Sequence, residues 1–165
     1  MKKKLELDTW ARRDHYHFFR QFEEPFFGVT VQIDCTNAYE HSKQIQASFF
    51  LWYLHKSLVA VNETAPFRFR IDGDDVVEYD QVNASPTINR PDGTFGFSYM
   101  NYYRAFSEFV NHAHTEINKV QKSTGLIPAM SGENVIHYSS VPWLHFTSLS
   151  HARAYSFPDS IPKIS

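Results

Sequence analysis

Two serines stand between two histidines in the segment "HYSSVPWLHF", residues 137–146. Residues two apart on a strand point to the same face, so His137 and Ser139 have the spacing of a base and a nucleophile, and His145 is a second candidate base. A hydrolase serine normally lies in a Gly-x-Ser-x-Gly turn that exposes its hydroxyl, and the chain has no such motif. The pattern therefore favours an ordinary strand serine whose hydroxyl is satisfied by a neighbouring group.

Histidines two apart, in His15-x-His17 and His112-x-His114, raise the question of a metal site. On a helix such residues point about 200° apart, whereas zinc requires ligands three or four residues apart on one face. The chain has one cysteine and no His-Glu-x-x-His motif. The "DGDD" run at 72–75 lacks the spacing and the distal glutamate of a calcium loop. The sequence therefore predicts no metal ion.

The composition predicts a single globular domain over residues 1–165, because 42% of the chain is apolar. Charged residues make up 21% and the net charge is −2, so no basic surplus indicates a nucleic-acid partner. The longest apolar stretch, residues 49–54, is too short to span a membrane, and the basic start "MKKKLELD" has no apolar region behind it. We therefore expect a cytoplasmic protein, and the single Cys35 fits a reducing compartment.

Aromatic residues are unusually frequent, at 16% of the chain with fifteen phenylalanines and nine tyrosines. Some of these rings belong to the core, since each buries a large area. The surplus is what a pocket for a flat, apolar ligand or a sizeable subunit interface requires.

Local patterns predict where the helices and strands lie. A first helix is expected to start near Thr9, and further helices to lie within residues 38–63 and 103–122. An Asp-Gly-Asp-Asp join predicts a hairpin, whereas "NASPTINRPDG", residues 83–93, is expected to be irregular. The predicted strands are residues 27–34, 67–71, 76–79, 94–100, 134–140 and 143–149.

Several of these segments resemble the type A chloramphenicol acetyltransferases. "TWARRDHYHFFR" at 9–20 is similar to the family's opening Trp-x-Arg-x-x-His-Phe-x-Phe, and "VTVQID" continues in the same register. "FRFRIDGDDVVEYDQV" resembles the family hairpin, and "TFGFSY" its Thr-Phe-Ser segment. "SSVPWLHFTSL" is similar to its Ser-Ala-x-Pro-Trp-x-x-Phe-x-Ser-Phe. The resemblance runs in the same order over nearly the whole chain.

The resemblance implies an α/β fold of two layers, with a mixed β-sheet flanked by helices as in CoA-dependent acyltransferases. It further implies a homotrimer with active sites at the subunit interfaces. The implied reaction moves acetyl from acetyl-CoA to a hydroxyl of chloramphenicol in a ternary complex. In that reaction a histidine is the general base, and a serine hydroxyl donates a hydrogen bond to the tetrahedral oxyanion.

Carried over by position, the resemblance makes Ser139 the oxyanion donor. Arg12 matches an arginine that pairs with an aspartate near the catalytic histidine, and Ser165 falls where the family has a threonine that holds a water molecule. The residues that match the antibiotic pocket are Phe18, Phe19, Phe27, Phe95, Phe97 and Leu149.

Three departures from the family pattern accompany these matches. Phe19 replaces a tyrosine, and His137 replaces an asparagine. The family's base lies in a His-His-x-x-x-Asp-Gly motif, and none of the nine histidines of this chain lies in one. We therefore expect the sequence to be the N-terminal part of an acetyltransferase and to be inactive alone. The alternatives are a non-catalytic relative that binds aromatic ligands, or an acyltransferase for another small alcohol.

Overall fold

The computed structural model describes residues 1–126, 132–152 and 159–165. Two short 3-10 helices, Leu7–Thr9 and Ala65–Arg68, accompany the main elements. The helices are α1 (Arg13–Phe19), α2 (Thr36–Gln44), α3 (Phe49–Glu63) and α4 (Phe106–Lys122). The strands are β1 (Lys2–Lys4), β2 (Phe69–Asp72), β3 (Asp75–Tyr79), β4 (Asn83–Asn89), β5 (Phe95–Phe97), β6 (Val135–Tyr138) and β7 (Lys163–Ile164).

The main sheet has the strand order β5-β4-β6-β7. Strand β6 runs parallel to both β4 and β7, whereas β5 is antiparallel to β4. A separate sheet with the order β1-β3-β2 consists of antiparallel pairs. The architecture confirms the expected α/β fold with a mixed sheet flanked by helices.

The core lies between this sheet and helices α3 and α4. The residues that α3 buries are Leu51, Leu54, His55, Leu58 and Val61, which follow the i, i+3, i+4, i+7 pattern of one helix face. Ser48 accepts a hydrogen bond from the Leu51 N–H at the start of the helix. The core cluster joins side chains of both helices to side chains of β4 and β6, and its largest apolar members include Leu51, Leu54, Leu58, Met100, Phe109 and Ile136.

The predicted hairpin is confirmed as β2 and β3. Asp72 pairs with Asp75 across the end of the hairpin, which leaves Gly73 and Asp74 as the two turn residues. Gly73 has a φ of 62°, the left-handed conformation that two-residue hairpin turns require and glycine adopts without strain.

A buried arginine connects this hairpin to the main sheet. The Arg70 side chain is 1% exposed, and its Nε donates to the carbonyl oxygen of Glu133 at 2.7 Å. Its Nη groups donate to the carbonyl oxygens of Phe67, Phe69 and Val135. Burial lowers the pKa of Arg70 to about 10, so the side chain remains charged at neutral pH.

The expectation that residues 83–93 are irregular was wrong, since β4 occupies most of this segment and lies inside the main sheet. Pro86 is fully buried in β4. It lacks an N–H donor, but its carbonyl oxygen accepts from the Ser98 N–H at 2.9 Å. Strand β4 therefore forms although Pro86 supplies no backbone N–H.

Two predicted strands do not form. Residues 27–34 carry alternating apolar side chains, but no strand is assigned there and no other described segment pairs with them. Residues 143–149 likewise form no strand; they follow a turn in which the Leu144 N–H donates to the Val141 carbonyl oxygen at 3.0 Å. In both segments the apolar alternation is present without a neighbouring strand to supply hydrogen bonds.

The first helix begins at Arg13, four residues later than expected, because Trp10 takes an extended backbone conformation after the 3-10 helix Leu7–Thr9. The expected helices within residues 38–63 and 103–122 are confirmed as α2, α3 and α4. No helix in the described part of the chain has both the length and the apolar character needed to cross a membrane. That residues 1–165 form a single domain stays a prediction.

Candidate functional site

Ser139 directly follows β6, at the end of the main sheet where the parallel strands β6 and β7 finish. Its N–H donates to the carbonyl oxygen of Ile164 at 3.0 Å. Since His137 pairs with Lys163 and Tyr138 pairs with Ile164, the next pair in this parallel register is Ser139 and Ser165. Paired residues of adjacent strands point to the same face, so the structure brings these two predicted site residues together.

Ionisable side chains surround this serine pair. His137 lies two residues before Ser139 on the same face of the strand, and Lys163 is its partner on β7. Lys163 Nζ forms an ion pair with Asp159 at 2.7 Å, and Ser165 Oγ lies 3.0 Å from His151 Nε2. We call His137, Ser139, His151, Asp159, Lys163 and Ser165 the β6–β7 polar cluster.

Both histidines of the cluster favour the neutral form. Burial lowers the pKa of His137, and the nearby Asp159 carboxylate only partly opposes this effect. Burial, with the positive charge of Lys163, also lowers the pKa of His151. Asp159 has a lowered pKa because its hydrogen bonds with Lys163 and the Ile161 N–H outweigh its own burial. At neutral pH the cluster therefore combines one ion pair with two uncharged imidazoles.

The opposite face of β6 is anchored to helix α3. The Tyr138 hydroxyl lies 3.0 Å from Ser57 Oγ, and burial raises the pKa of Tyr138 to about 12. Ser140 hydrogen-bonds to Tyr53, one helical turn before Ser57, and partly offsets the rise that burial causes in the pKa of Tyr53. Tyr138 and Ser140 flank Ser139 and alternate with it in direction. Contacts on one face of the strand thus fix the direction of Ser139 on the other.

The phenylalanines predicted to line a pocket fall into separate groups. Phe18 and Phe19 lie at the end of α1, with their ring centroids 5.2 Å apart, and both rings pack against Phe22. Phe27 is 90% exposed. These rings are solvent-accessible in the single chain, as a ligand pocket or a subunit interface requires.

Phe95 and Phe97 form the second group, on β5, with their ring centroids 5.7 Å apart. In the part of the chain that the structure describes, no ring contact joins them to Phe18 or Phe19, so a pocket shared by the two groups stays a prediction. Leu149 is exposed in the segment after β6. A cavity of about 400 Å³ adjoins Phe95 and is lined by Arg90, Gly93, Thr94, Phe95, Gly125 and Leu126.

Arg12 is exposed at the start of α1, where its carbonyl oxygen accepts from the Tyr16 N–H at 2.9 Å. Among residues 1–126, 132–152 and 159–165, no acidic side chain lies within ion-pair distance of its guanidinium. That Arg12 holds an aspartate near the catalytic histidine therefore stays a prediction. Within the same ranges, no three His, Cys, Asp or Glu side chains are grouped as a metal site would require.

Sequence reasoning missed three members of the polar cluster, which are His151, Asp159 and Lys163. None of them lies in a motif, and their relation to Ser139 depends on the parallel pairing of β6 with β7. The available signal was the alternation "KIS" at the end of the sequence, which repeats the polar-apolar-polar order of "HYS". Two short segments of this kind are too brief to define a register by themselves.

Known proteins that are similar to this chain include chloramphenicol acetyltransferases. The family model for chloramphenicol acetyltransferase matches residues 2–155. The chain is 26% identical over 147 residues to a chloramphenicol acetyltransferase of Proteus mirabilis, covering 88% of this chain and 68% of the relative. It is 24% identical over 149 residues to chloramphenicol acetyltransferase 3 of Escherichia coli, covering 89% and 70%.

A solved structure of a chloramphenicol acetyltransferase superimposes with a TM-score of 0.88 and 29% identity, covering 99% of this chain and 80% of the other. The family model spans almost all of the described elements, and the structural likeness covers nearly the whole chain. By both sequence and fold, the chain belongs to the chloramphenicol acetyltransferase family.

Proposed function

We propose that the protein is an O-acetyltransferase that transfers acetyl from acetyl-CoA to a hydroxyl of chloramphenicol. The observation that carries the proposal is the position of Ser139, whose N–H is bonded to Ile164 and whose strand is anchored to α3 by Tyr138. An oxyanion donor stabilises the transition state most when its direction is fixed before the reaction begins. Membership of the family supplies the reaction in which such a donor acts.

In this proposal the Ser139 hydroxyl donates a hydrogen bond to the oxygen that becomes negative when the acceptor hydroxyl attacks the thioester carbon. Removing one such donor typically lowers kcat by about 10²–10³-fold. Ser165 stands beside Ser139 and holds a water molecule near the same oxygen. The general base is assigned to no histidine of this sequence, because none lies in a His-His-x-x-x-Asp-Gly motif.

The exposed rings of Phe18, Phe19, Phe27 and Phe95, the half-buried ring of Phe97 and the side chain of Leu149 are proposed to contact the aromatic acceptor. Phe19 brings no hydroxyl to this surface, so its contact with the acceptor is apolar. The co-substrate is acetyl-CoA, a cytoplasmic metabolite, and we therefore place the protein in the cytoplasm.

We further propose a homotrimer. Phe27, Val29, Val31 and Ile33 are spaced two residues apart in a segment without assigned secondary structure, and all four are largely exposed in the single chain. An apolar row of this kind is costly to leave in water and typical of a surface that another chain covers. In the sequence the row follows the α1 rings by a few residues, which is compatible with a site at a subunit boundary.

The test of the reaction measures the release of CoA thiol from acetyl-CoA, with and without chloramphenicol, by the protein that carries this sequence. We expect release to depend on chloramphenicol and to fall about 10²–10³-fold in kcat in Ser139→Ala. Ser107→Ala, which changes an exposed serine of α4, is the matched control and is expected to retain the wild-type rate. Absence of chloramphenicol-dependent release would overturn the assignment of the acceptor.

A second candidate is a non-catalytic protein that binds aromatic ligands through the exposed rings of Phe18, Phe19 and Phe27. Chloramphenicol binding and chloramphenicol-dependent thiol release, measured on the same protein, distinguish the two candidates. Calorimetric binding of chloramphenicol without any acceptor-dependent thiol release supports the binding protein. Release with another small alcohol, and none with chloramphenicol, supports an acyltransferase of different acceptor specificity.

A further inference from the structure

His151 of the β6–β7 polar cluster is hydrogen-bonded to a residue of the proposed acyl-transfer site. His151 Nε2 lies 3.0 Å from Ser165 Oγ, although the two residues are separated by 14 positions in the sequence. His151 is half-buried, whereas Ser165 is exposed. The hydrogen bond therefore restrains a hydroxyl that would otherwise rotate in solvent.

The hydrogen bond between His151 and Ser165 matters because of where the Ser165 hydroxyl lies. Ser165 is the residue opposite Ser139 in the parallel register of β6 and β7. The Ser139 N–H donates to the carbonyl oxygen of Ile164, the residue before Ser165. The imidazole of His151 is thus one hydrogen bond away from the side chain that stands beside the proposed oxyanion donor.

We propose that His151 is a positioning residue of the acyl-transfer site, which holds the Ser165 hydroxyl beside Ser139 and decides whether that hydroxyl donates or accepts its next hydrogen bond. The inference rests on the proposed function, because it gives the hydroxyl a task only if the oxyanion forms there. It assigns His151 no contact with the substrate.

The two neutral tautomers of His151 have different consequences. With the proton on Nδ1, Nε2 accepts the hydrogen of Ser165, and the serine oxygen is left to accept a hydrogen bond from water. With the proton on Nε2, the imidazole donates to Ser165, and the serine hydrogen is free to point towards the oxyanion. Lys163 and His137 are the described charged or titratable groups that face this pair, and Lys163 favours the uncharged imidazole.

The first arm of the test is an NMR titration of the histidine ring nitrogens in protein labelled with ¹⁵N. Ser165→Ala is expected to shift the Nε2 resonance and the apparent pKa of His151, and Ser165→Thr is expected to restore both. A rise of the pKa in Ser165→Ala means that the serine donates to the neutral imidazole, and a fall means that the imidazole donates. Ser150→Ala, an exposed serine adjacent to His151, is the control and is expected to change neither quantity.

The second arm is the kinetics of chloramphenicol-dependent thiol release. His151→Gln is expected to lower kcat about tenfold, as the loss of one hydrogen bond at the transition state would, and to leave KM for chloramphenicol unchanged. An unaltered His151 resonance in Ser165→Ala, or an unaltered kcat in His151→Gln, overturns the inference while the proposed function stands. If the wild-type protein shows no acceptor-dependent release, the proposed function itself fails, and the inference fails with it.

Discussion

Arg90 Nε donates to the carbonyl oxygen of Val120 at 3.0 Å, which joins the residue after β4 to the last turn of α4. The guanidinium is almost fully buried, and each of its five N–H groups has an acceptor. A positive charge at the C-terminal end of a helix is also favoured by the helix dipole. The other acceptors are Thr94 Oγ1, Phe95 O, Ser123 Oγ and Gly125 O.

Replacing this side chain is expected to destabilise the protein. Arg90→Met leaves buried carbonyl oxygens without a donor, and we expect the free energy of unfolding to fall by about 3 kcal/mol. Urea denaturation followed by circular dichroism measures the change. Arg104→Met, at an exposed position, is expected to stay within about 0.5 kcal/mol of the wild type. Equal midpoints for the two variants would show that the Arg90 contacts contribute nothing to stability.

Gly96 of β5 lies close to both Arg90 and Val120, so a substitution there is a second test of this packing. A Cβ at this position would lie 2.5 Å from Arg90 Nη2 and 2.7 Å from Val120 Cγ1, which is too close for either atom. We expect Gly96→Ala to lower the free energy of unfolding by about 1–3 kcal/mol, because the buried arginine or the helix has to move. Gly28→Ala is the control, since a Cβ there has nothing within 4 Å. Equal urea midpoints for the two alanine variants would contradict the close approach at Gly96.

How far the sequence predicts this fold depends on where the partners of each segment lie. The hairpin of β2 and β3 is predictable, because its strands are neighbours in the chain and Gly73 marks the turn. The amphipathic helices are predictable for the same reason, since their pattern repeats within each segment. Strand β4 is not, because Pro86 counts against a central strand until the Ser98 N–H is known to bond its carbonyl oxygen.

The candidate site divides in a similar way. Ser139 is found from its resemblance to a family motif, and the alternation around it correctly predicts a strand, β6. Ser165 is matched by position alone, and only the parallel pairing of β6 with β7 puts it beside Ser139. His151 is not predictable at all, because its hydrogen bond to Ser165 depends on the path of the chain between them.

Acid is expected to destabilise the fold through His55. The imidazole is buried between Phe106 and Phe109, its Nε2 lies 3.0 Å from the Tyr103 carbonyl oxygen, and its Nδ1 has no hydrogen-bond partner among the described residues. Burial lowers the pKa of His55 below its ordinary value of 6.5, and the charge of Lys56 acts in the same direction. The unfolded chain therefore binds a proton more readily than the folded one.

The direction of the pH dependence follows from the difference between the folded and unfolded pKa of His55. The stability that His55 contributes is complete above pH 6.5, the unfolded pKa, and decreases as the pH falls through 6.5 towards the folded pKa. The slope for one histidine is at most about 1.4 kcal/mol per pH unit, and the lowered pKa values of His137 and His151 add to it. Urea unfolding between pH 7.5 and 5 measures the slope, which we expect to be smaller in His55→Gln. His114→Gln, at an exposed position of α4, is expected to keep the wild-type slope; a His55→Gln slope equal to it would exclude His55 as a source.

The apolar row at residues 27–33 predicts the oligomeric state. We expect sedimentation velocity to give a mass about three times that of the denatured polypeptide, because in the proposed homotrimer other copies of the chain cover the row. Val31→Lys places a charge in the middle of the row and is expected to shift the protein towards the monomer, since burying an unpaired ammonium group is costly. Ile45→Lys, which changes an apolar residue of similar size just after α2, is the matched control and is expected to sediment like the wild type. The proposed interface would be contradicted by a wild-type protein that sediments as a monomer or by a Val31→Lys variant that keeps the wild-type mass. In either case assembly would not explain why Val31 is exposed in the single chain.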